Sequence, residues 1–191
     1  MRARWAEAVA SMLLLVPSAA GAHATKWSLS VYAGPGSNDY FTHIFGGKFK
    51  VEGGVAAIAL DRNVAYLGNG FKLVAEAQAV HYFFDTPTTA LSLGLGLKYD
   101  ALSLGPGMPV AMAFYVGPSY AIDPPLYYTT AAGVKRYTWL NYVSTEFTVG
   151  IPGSQRWAFI LRGYHRSGMY GLYAHDVDEG SMIGIGLRYR F

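Results

Sequence analysis

Between Leu91 and Tyr99 the residues take turns: Leu91, Leu93, Leu95, Leu97 and Tyr99 alternate with Ser92, Gly94, Gly96 and Lys98. The same step of two sets Trp27, Leu29 and Val31 against Ser28 and Ser30, and Phe71, Leu73, Ala75, Ala77 and Ala79 against Lys72, Glu76 and Gln78. It returns at the end of the chain, where Ile183, Ile185, Leu187, Tyr189 and Phe191 alternate with Gly184, Gly186, Arg188 and Arg190. Successive side chains of a β-strand point to opposite faces, whereas a helix repeats every 3.6 residues, so these runs predict strands with one apolar face. Reading the whole chain this way predicts eight of them, over 26–34, 52–65, 70–83, 89–102, 109–118, 138–151, 156–167 and 180–191.

An alternating strand leaves two destinations for its apolar face. A soluble sandwich turns it inward; a small membrane barrel turns it to lipid and packs Gly, Tyr, Lys, Glu and Arg into its lumen. The period is the same in both. Composition and segment length favour the barrel. The chain is 52% hydrophobic and 14% charged, yet after the first two dozen residues it has no run of 18 apolar residues, which excludes a helical membrane protein. Residues 1–24 have the layout of a cleavable secretory signal: Arg2 and Arg4, the apolar run ASMLLLVPSAA, then small residues with cleavage expected after Ala22 or Ala24. The expected fold is therefore all-β: an eight-stranded antiparallel transmembrane β-barrel of outer-membrane type, one domain over 25–191 behind the signal peptide. The aromatic Phe191 that ends the last alternating run resembles the assembly signal of bacterial outer-membrane proteins, and implies the outer-membrane assembly machinery as a partner.

Charge and cysteine usage remove other classes. Loss of residues 1–24 takes away Arg2, Arg4 and Glu7, leaving basic and acidic residues nearly balanced, so the pI near 9.0 gives no reason to expect nucleic acid as a partner. Cysteine is absent, which excludes a disulfide scaffold and thiolate metal sites. Arg162, Arg166, Arg188 and Arg190 share the inward parity of Glu76, Lys98, Asp100 and Glu146, and are expected to form lumenal ion pairs that plug the barrel. Eight strands leave an interior filled by side chains, which argues against a transport pore.

The connections alternate between tight turns at LGNG (67–70), GPGMP (105–109) and IPGSQR (151–156) and longer links near 35–51, 84–88, 119–137 and 168–179. Short turns belong on the periplasmic side and long loops outside. The strand over 156–167 thus runs outward and ends at the outer-leaflet rim.

That end reads LRGYHRSG (161–168), and parity puts His165 and Ser167 on the greasy face with Trp157, Phe159 and Leu161. Charge facing lipid costs about 2 to 4 kcal/mol for a cation at the midplane and roughly 0 to 1 near the interface, so the rim tolerates polar groups without explaining them. Two residues apart on one face, at ~3.4 Å per residue, a histidine nitrogen can reach a serine hydroxyl, which places a nucleophile beside its base. A third group should hold the imidazole. Glu179, twelve residues beyond Ser167, has the parity of Ile183 and is expected to face outward, while Asp176 and Asp178 fall on the opposite face.

His165-x-Ser167 followed at that interval by Glu179, near the end of a signal-bearing barrel, resembles the lipid A 3-O-deacylase (PagL) family of outer-membrane esterases. The resemblance implies a Ser-His-Glu hydrolase without cofactor or metal. Its substrate would be the ester-linked acyl chain at position 3 of lipid A, taken from lipopolysaccharide among the outer-membrane lipids. The chain departs from the family motif after the serine: Gly168-Met169-Tyr170-Gly171 stands where the family continues with Asn, so the oxyanion donors expected here are the backbone N–H groups of Gly168, Met169, Tyr170 and Gly171. Asn141, with lipid-facing parity on the neighbouring strand, is either a second oxyanion donor or an ordinary interfacial residue. His175, Asp176 and Asp178 read as a solvated loop or a cation site, and the segment 120–137 as a surface loop or a saccharide contact through Lys135 and Arg136. Two other functions fit the same fold: a non-enzymatic structural or adhesion barrel, and acyl transfer with a different acceptor at the same nucleophile.

Overall fold

The computed structural model describes residues 27–37, 46–124, 128–130, 133–135, 137–169, 171–174 and 178–191, with 128–130, 133–135, 178 and 179 as backbone alone. The expected signal peptide lies outside the described residues, as do Tyr170, His175 and Asp176. Ten strands follow in order: β1 (Trp27–Ser37), β2 (Gly53–Gly68), β3 (Phe71–Phe83), β4 (Thr88–Ser103), β5 (Pro109–Ile122), β6 (Tyr128–Thr130), β7 (Gly133–Lys135), β8 (Trp139–Gly150), β9 (Trp157–Ser167) and β10 (Asp178–Arg190). Strands β6 and β7 form a separate small hairpin; the other eight pair antiparallel in the closed order β1-β10-β9-β8-β5-β4-β3-β2. Closure comes from β1 against β10, with Val31 opposite Leu187 and Ala33 opposite Ile185. A closed sheet has no free edge, the condition for strands to cross a bilayer.

The alternation is realised with the apolar set outward. Leu91, Leu95, Leu97, Val31, Phe159 and Ile185 are all exposed on the outer wall, while Glu76, Lys98, Arg162 and Arg188 are buried in the lumen. Aromatic pairs mark the rims. Trp157–Tyr189 (4.9 Å) and Phe71–Tyr99 (4.7 Å) lie at the end with the short turns and Phe191, and Tyr120–Trp139 (5.1 Å) lies at the end with the long links.

A charged network fills the lumen, as expected for Arg162, Arg188, Glu76 and Glu146, and it recruits Asp61 from β2. Arg162 bonds both carboxylate oxygens of Glu76 (2.5 and 2.6 Å) and reaches Glu146 at 3.3 Å. Arg188 bonds Glu146 (2.5 and 2.9 Å) and Asp61 (2.7 Å). The Arg162 guanidinium also lies over the rings of Tyr32 and Tyr115, 5.1 and 4.9 Å from their centroids. The tyrosines need room. At Gly94 a Cβ would lie 2.0 Å from the Tyr142 hydroxyl, so the glycine of β4 makes space for the tyrosine of β8.

Among the described residues four interruptions break the pairing: two in β2 (between Asn63 and Ala65, and between Tyr66 and Gly68), one in β4 between Tyr99 and Leu102, and one in β10 between Glu179 and Ser181. The last bears on the site. A bulge gives one strand an extra residue and shifts the alternation by one step. Gly180, at φ 68°, is that residue. It takes the left-handed conformation that glycine adopts at no steric cost.

Candidate functional site

On β9 the outward residues Trp157, Phe159 and Leu161 are 44%, 57% and 48% exposed, but His165 on the same face is only 6% exposed. The wall changes character along one strand. Pairing explains what surrounds the histidine: His165 is opposite Ser181 of β10 and Val143 of β8, and Ser181 is in turn opposite Ser37 of β1. One step further along β9, Ser167 is opposite Asn141 of β8 and Asp178 of β10. Ser37, Asn141, His165, Ser167 and Ser181 thus form a polar cluster across four neighbouring strands, at the end of the barrel where the long links lie. All but the half-buried Ser167 are buried.

His165 Nδ1 lies 2.8 Å from Ser181 Oγ. Two assignments satisfy that contact: Nδ1–H donates to the hydroxyl, or the hydroxyl donates to an unprotonated Nδ1. Either way the ring is held by a cross-strand partner. No hydrogen bond between His165 and Ser167 is seen among the described residues; the two hydroxyls nearest in register to the imidazole are Ser167 along the strand and Ser181 across it. Ser181 was legible by the same parity that exposes His165, since it stands two residues before Ile183 on the apolar face of the last strand.

The face of Glu179 inferred by counting back from Ile183 does not carry over, because the bulge at Gly180 intervenes. Backbone pairing sets Glu179 opposite Arg166 and Asp178 opposite Ser167, the reverse of the expected order. The side chains of both acids lie outside the described residues. Of the expected oxyanion segment, Gly168, Met169 and Gly171 are described. They begin a tight turn in which the N–H groups of Tyr173 and Ala174 donate to the Gly168 carbonyl (3.0 and 3.3 Å) and that of Leu172 to the Met169 carbonyl (3.1 Å). Met169 sits at φ 50°, Gly171 at φ 94°. The turn packs so closely on itself that a Cβ at residue 168 would lie 1.9 Å from the Ala174 carbonyl oxygen.

Asn141 is 2% exposed, and its Nδ2 is buried without a hydrogen-bond partner. A buried donor left unpaired costs about 1–3 kcal/mol, so its retention calls for an explanation. Below the cluster, Phe147, Phe159, Leu161, Ile185 and Leu187 line a shallow apolar groove on the lipid-facing side of β8, β9 and β10, the strands that carry most of the cluster. The described residues contain no group of three or more metal-ligating side chains.

No family model matches the chain, and no curated protein matches it. Among solved structures it is similar to the outer membrane enzyme PagL, with 12% identity over 86% of this chain and 98% of that one and a TM-score of 0.56. It is also similar to Ail, the attachment invasion locus protein of Yersinia pestis (9% identity, 87% and 97% covered, TM-score 0.47), and to OprG from Pseudomonas aeruginosa (12%, 90% and 98%, TM-score 0.43). At such identities what is shared is the fold, and with its closed eight-stranded wall and apolar outer face the chain is a β-barrel protein of the bacterial outer membrane.

Proposed function

We propose that the barrel is a serine esterase of the outer leaflet that hydrolyses an ester-linked acyl chain of lipid A. The observation that carries the reading is a histidine buried on the lipid-facing wall, its Nδ1 held by Ser181 and Ser167 two residues along the same face. An ordinary interfacial histidine would sit in the headgroup region with water; this one is removed from water and fixed in rotation.

In the proposed mechanism Ser181 accepts a hydrogen bond from Nδ1–H, which fixes the tautomer and makes Nε2 the base. Nε2 takes the proton of Ser167 as its Oγ attacks the ester carbonyl. The carboxylate that favours the imidazolium comes from the acidic pair that opens β10, where Asp178 holds the register position opposite Ser167 and Glu179 the one opposite Arg166, beside the bulge. Collapse of the tetrahedral intermediate expels the sugar hydroxyl, protonated by His165, and water from outside then cleaves the acyl-enzyme to a free fatty acid. A site on the outer wall suits such a substrate. The acyl chain already lies in the leaflet, along the groove of β8 to β10, and only the ester at headgroup level has to reach the serine. The lipopolysaccharide of the outer leaflet is the partner, and no cofactor enters the scheme.

The test is mass spectrometry of lipid A after expression, or after incubation with the purified barrel, together with fluorophosphonate labelling and location of the labelled serine. Ser167→Ala and His165→Asn should assemble normally, leave lipid A intact and lose labelling. Asp178→Ala, Glu179→Ala and Ser181→Ala should each be weakened less, because groups that orient the base usually cost less than the nucleophile or the base itself. Label on Ser181 in place of Ser167 would reassign the nucleophile. A wild-type protein that releases no acyl chain from lipid A or simple esters would make a non-enzymatic barrel the better account.

A further inference from the structure

Attack of Ser167 on an ester turns the carbonyl oxygen into an anion, and beside the buried His165 and Asn141 that charge finds little water to stabilise it. A donor must be waiting in place, already desolvated and not committed to another acceptor. The expected source was the turn after Ser167. A side chain at residue 168 is excluded there, because the Ala174 carbonyl occupies the position its Cβ would need. Gly168, Met169 and Gly171, the described residues that open that turn, offer backbone N–H groups alone, which turns attention to side-chain donors on the neighbouring strands.

Asn141 meets the requirement. It stands on β8 directly opposite Ser167 in the β8–β9 register. It shares the outer face with the exposed Trp139, yet is itself 2% exposed. Its Nδ2 has no hydrogen-bond partner. Side chains directly opposite on antiparallel strands have Cβ atoms about 4.5–5.5 Å apart, so an atom two bonds beyond the serine oxygen comes within reach of an amide of this length. A donor held dry and unpaired beside a serine has nothing to bind in the resting protein; an oxygen that becomes negative during the reaction is what would satisfy it.

Resting on the esterase reading above, we infer that the Asn141 amide is the side-chain oxyanion donor for Ser167. As the Ser167 Oγ–carbon bond forms, the carbonyl π pair moves onto oxygen and Asn141 Nδ2–H donates to it, while the serine proton passes to His165. When the pair returns to re-form the carbonyl, the bond to the sugar oxygen breaks, and His165 protonates the departing alkoxide. The same donor serves the attack of water on the acyl-enzyme.

The experiment measures hydrolysis of a long-chain ester by the purified full-length barrel in detergent, and inhibition by a long-chain trifluoromethyl ketone, whose adduct with serine carries the oxyanion. Asn141→Ala should lower kcat about 10²–10³-fold with KM nearly unchanged. Affinity for the ketone should fall in parallel, whereas gel mobility and thermal unfolding should hold, since no bond of the resting protein is lost. The isosteric Asn141→Asp, which replaces the donor by an acceptor, carries the test if the alanine variant fails to assemble. Gly168→Asn in the Asn141→Ala background should not restore activity. An Asn141→Ala protein with wild-type kcat, or a fall in activity without loss of ketone affinity, would overturn the assignment, as would failure of both Asn141 variants to assemble. Ser167→Ala is the separate control: if it remains active, or if the wild type is inert, the esterase reading fails instead.

Discussion

Replacing Glu146 by alanine tests whether the lumen is a dry, charged core. Glu146 accepts two bonds from Arg188 (2.5 and 2.9 Å), one from Arg162 (3.3 Å) and one from Thr148 (3.1 Å), and both arginines are fully buried. Removing one partner of a buried ion pair costs about 3–5 kcal/mol, because the charge left behind remains out of water. Each guanidinium keeps a second carboxylate, Glu76 for Arg162 and Asp61 for Arg188, which sets the expected loss at the lower end, about 3 kcal/mol. Lys72→Ala is the matched comparison: its contact with Asp100 is as short, 2.5 Å, but both side chains are more than a quarter exposed. An exposed pair contributes about 0.2–1 kcal/mol. Urea unfolding of the purified barrel in detergent, followed by tryptophan fluorescence and by the heat-sensitive shift in gel mobility, measures both. With a slope of about 1–3 kcal/mol per molar urea, Glu146→Ala should move the midpoint down by roughly 1–3 M and Lys72→Ala by a few tenths. Glu146→Gln, which keeps hydrogen-bonding capacity and loses the charge, should fall between. Equal shifts for Glu146→Ala and Lys72→Ala would refute the reasoning, since they would mean that water enters the lumen and screens the network.

Two further outcomes concern packing and assembly. Gly94→Ala places a methyl group against the Tyr142 hydroxyl, which donates to Glu76 at 3.3 Å, and should destabilise the barrel by about 1–3 kcal/mol in the same urea titration. Phe191 exchanges backbone bonds with Trp27 at 2.9 and 3.1 Å and stacks on Tyr189 with centroids 6.3 Å apart. Deleting it, or Phe191→Asp, should reduce the membrane-inserted, heat-modifiable fraction more than substitutions within residues 124–130, and equal yields would count against an assembly role for the last residue.

The period of two, being local, was enough to place strands within a few residues of their observed ends, to send Leu91, Leu95 and Leu97 to one face, and to put Glu76, Arg162 and Arg188 on the other. It was also enough to single out His165, because a titratable side chain on an apolar face stands out without knowledge of its neighbours. What the alternation leaves open is which face is inside, since a sandwich and a barrel share one pattern; the pairing of β1 with β10 decides it, and that is a contact between the two ends of the chain. Register is equally non-local. Parity marks Ser181 as outward but cannot tell that it lies across from His165, nor that Asn141 lies across from Ser167. The bulge at Gly180 shows the limit most directly: one extra residue, held by a left-handed glycine, exchanges the positions inferred for Asp178 and Glu179. Burial completes the difference. Asn141 and His165 have the parity of lipid-facing residues but are sealed from solvent, because the folded wall, and not the spacing of the residues, determines what covers each side chain.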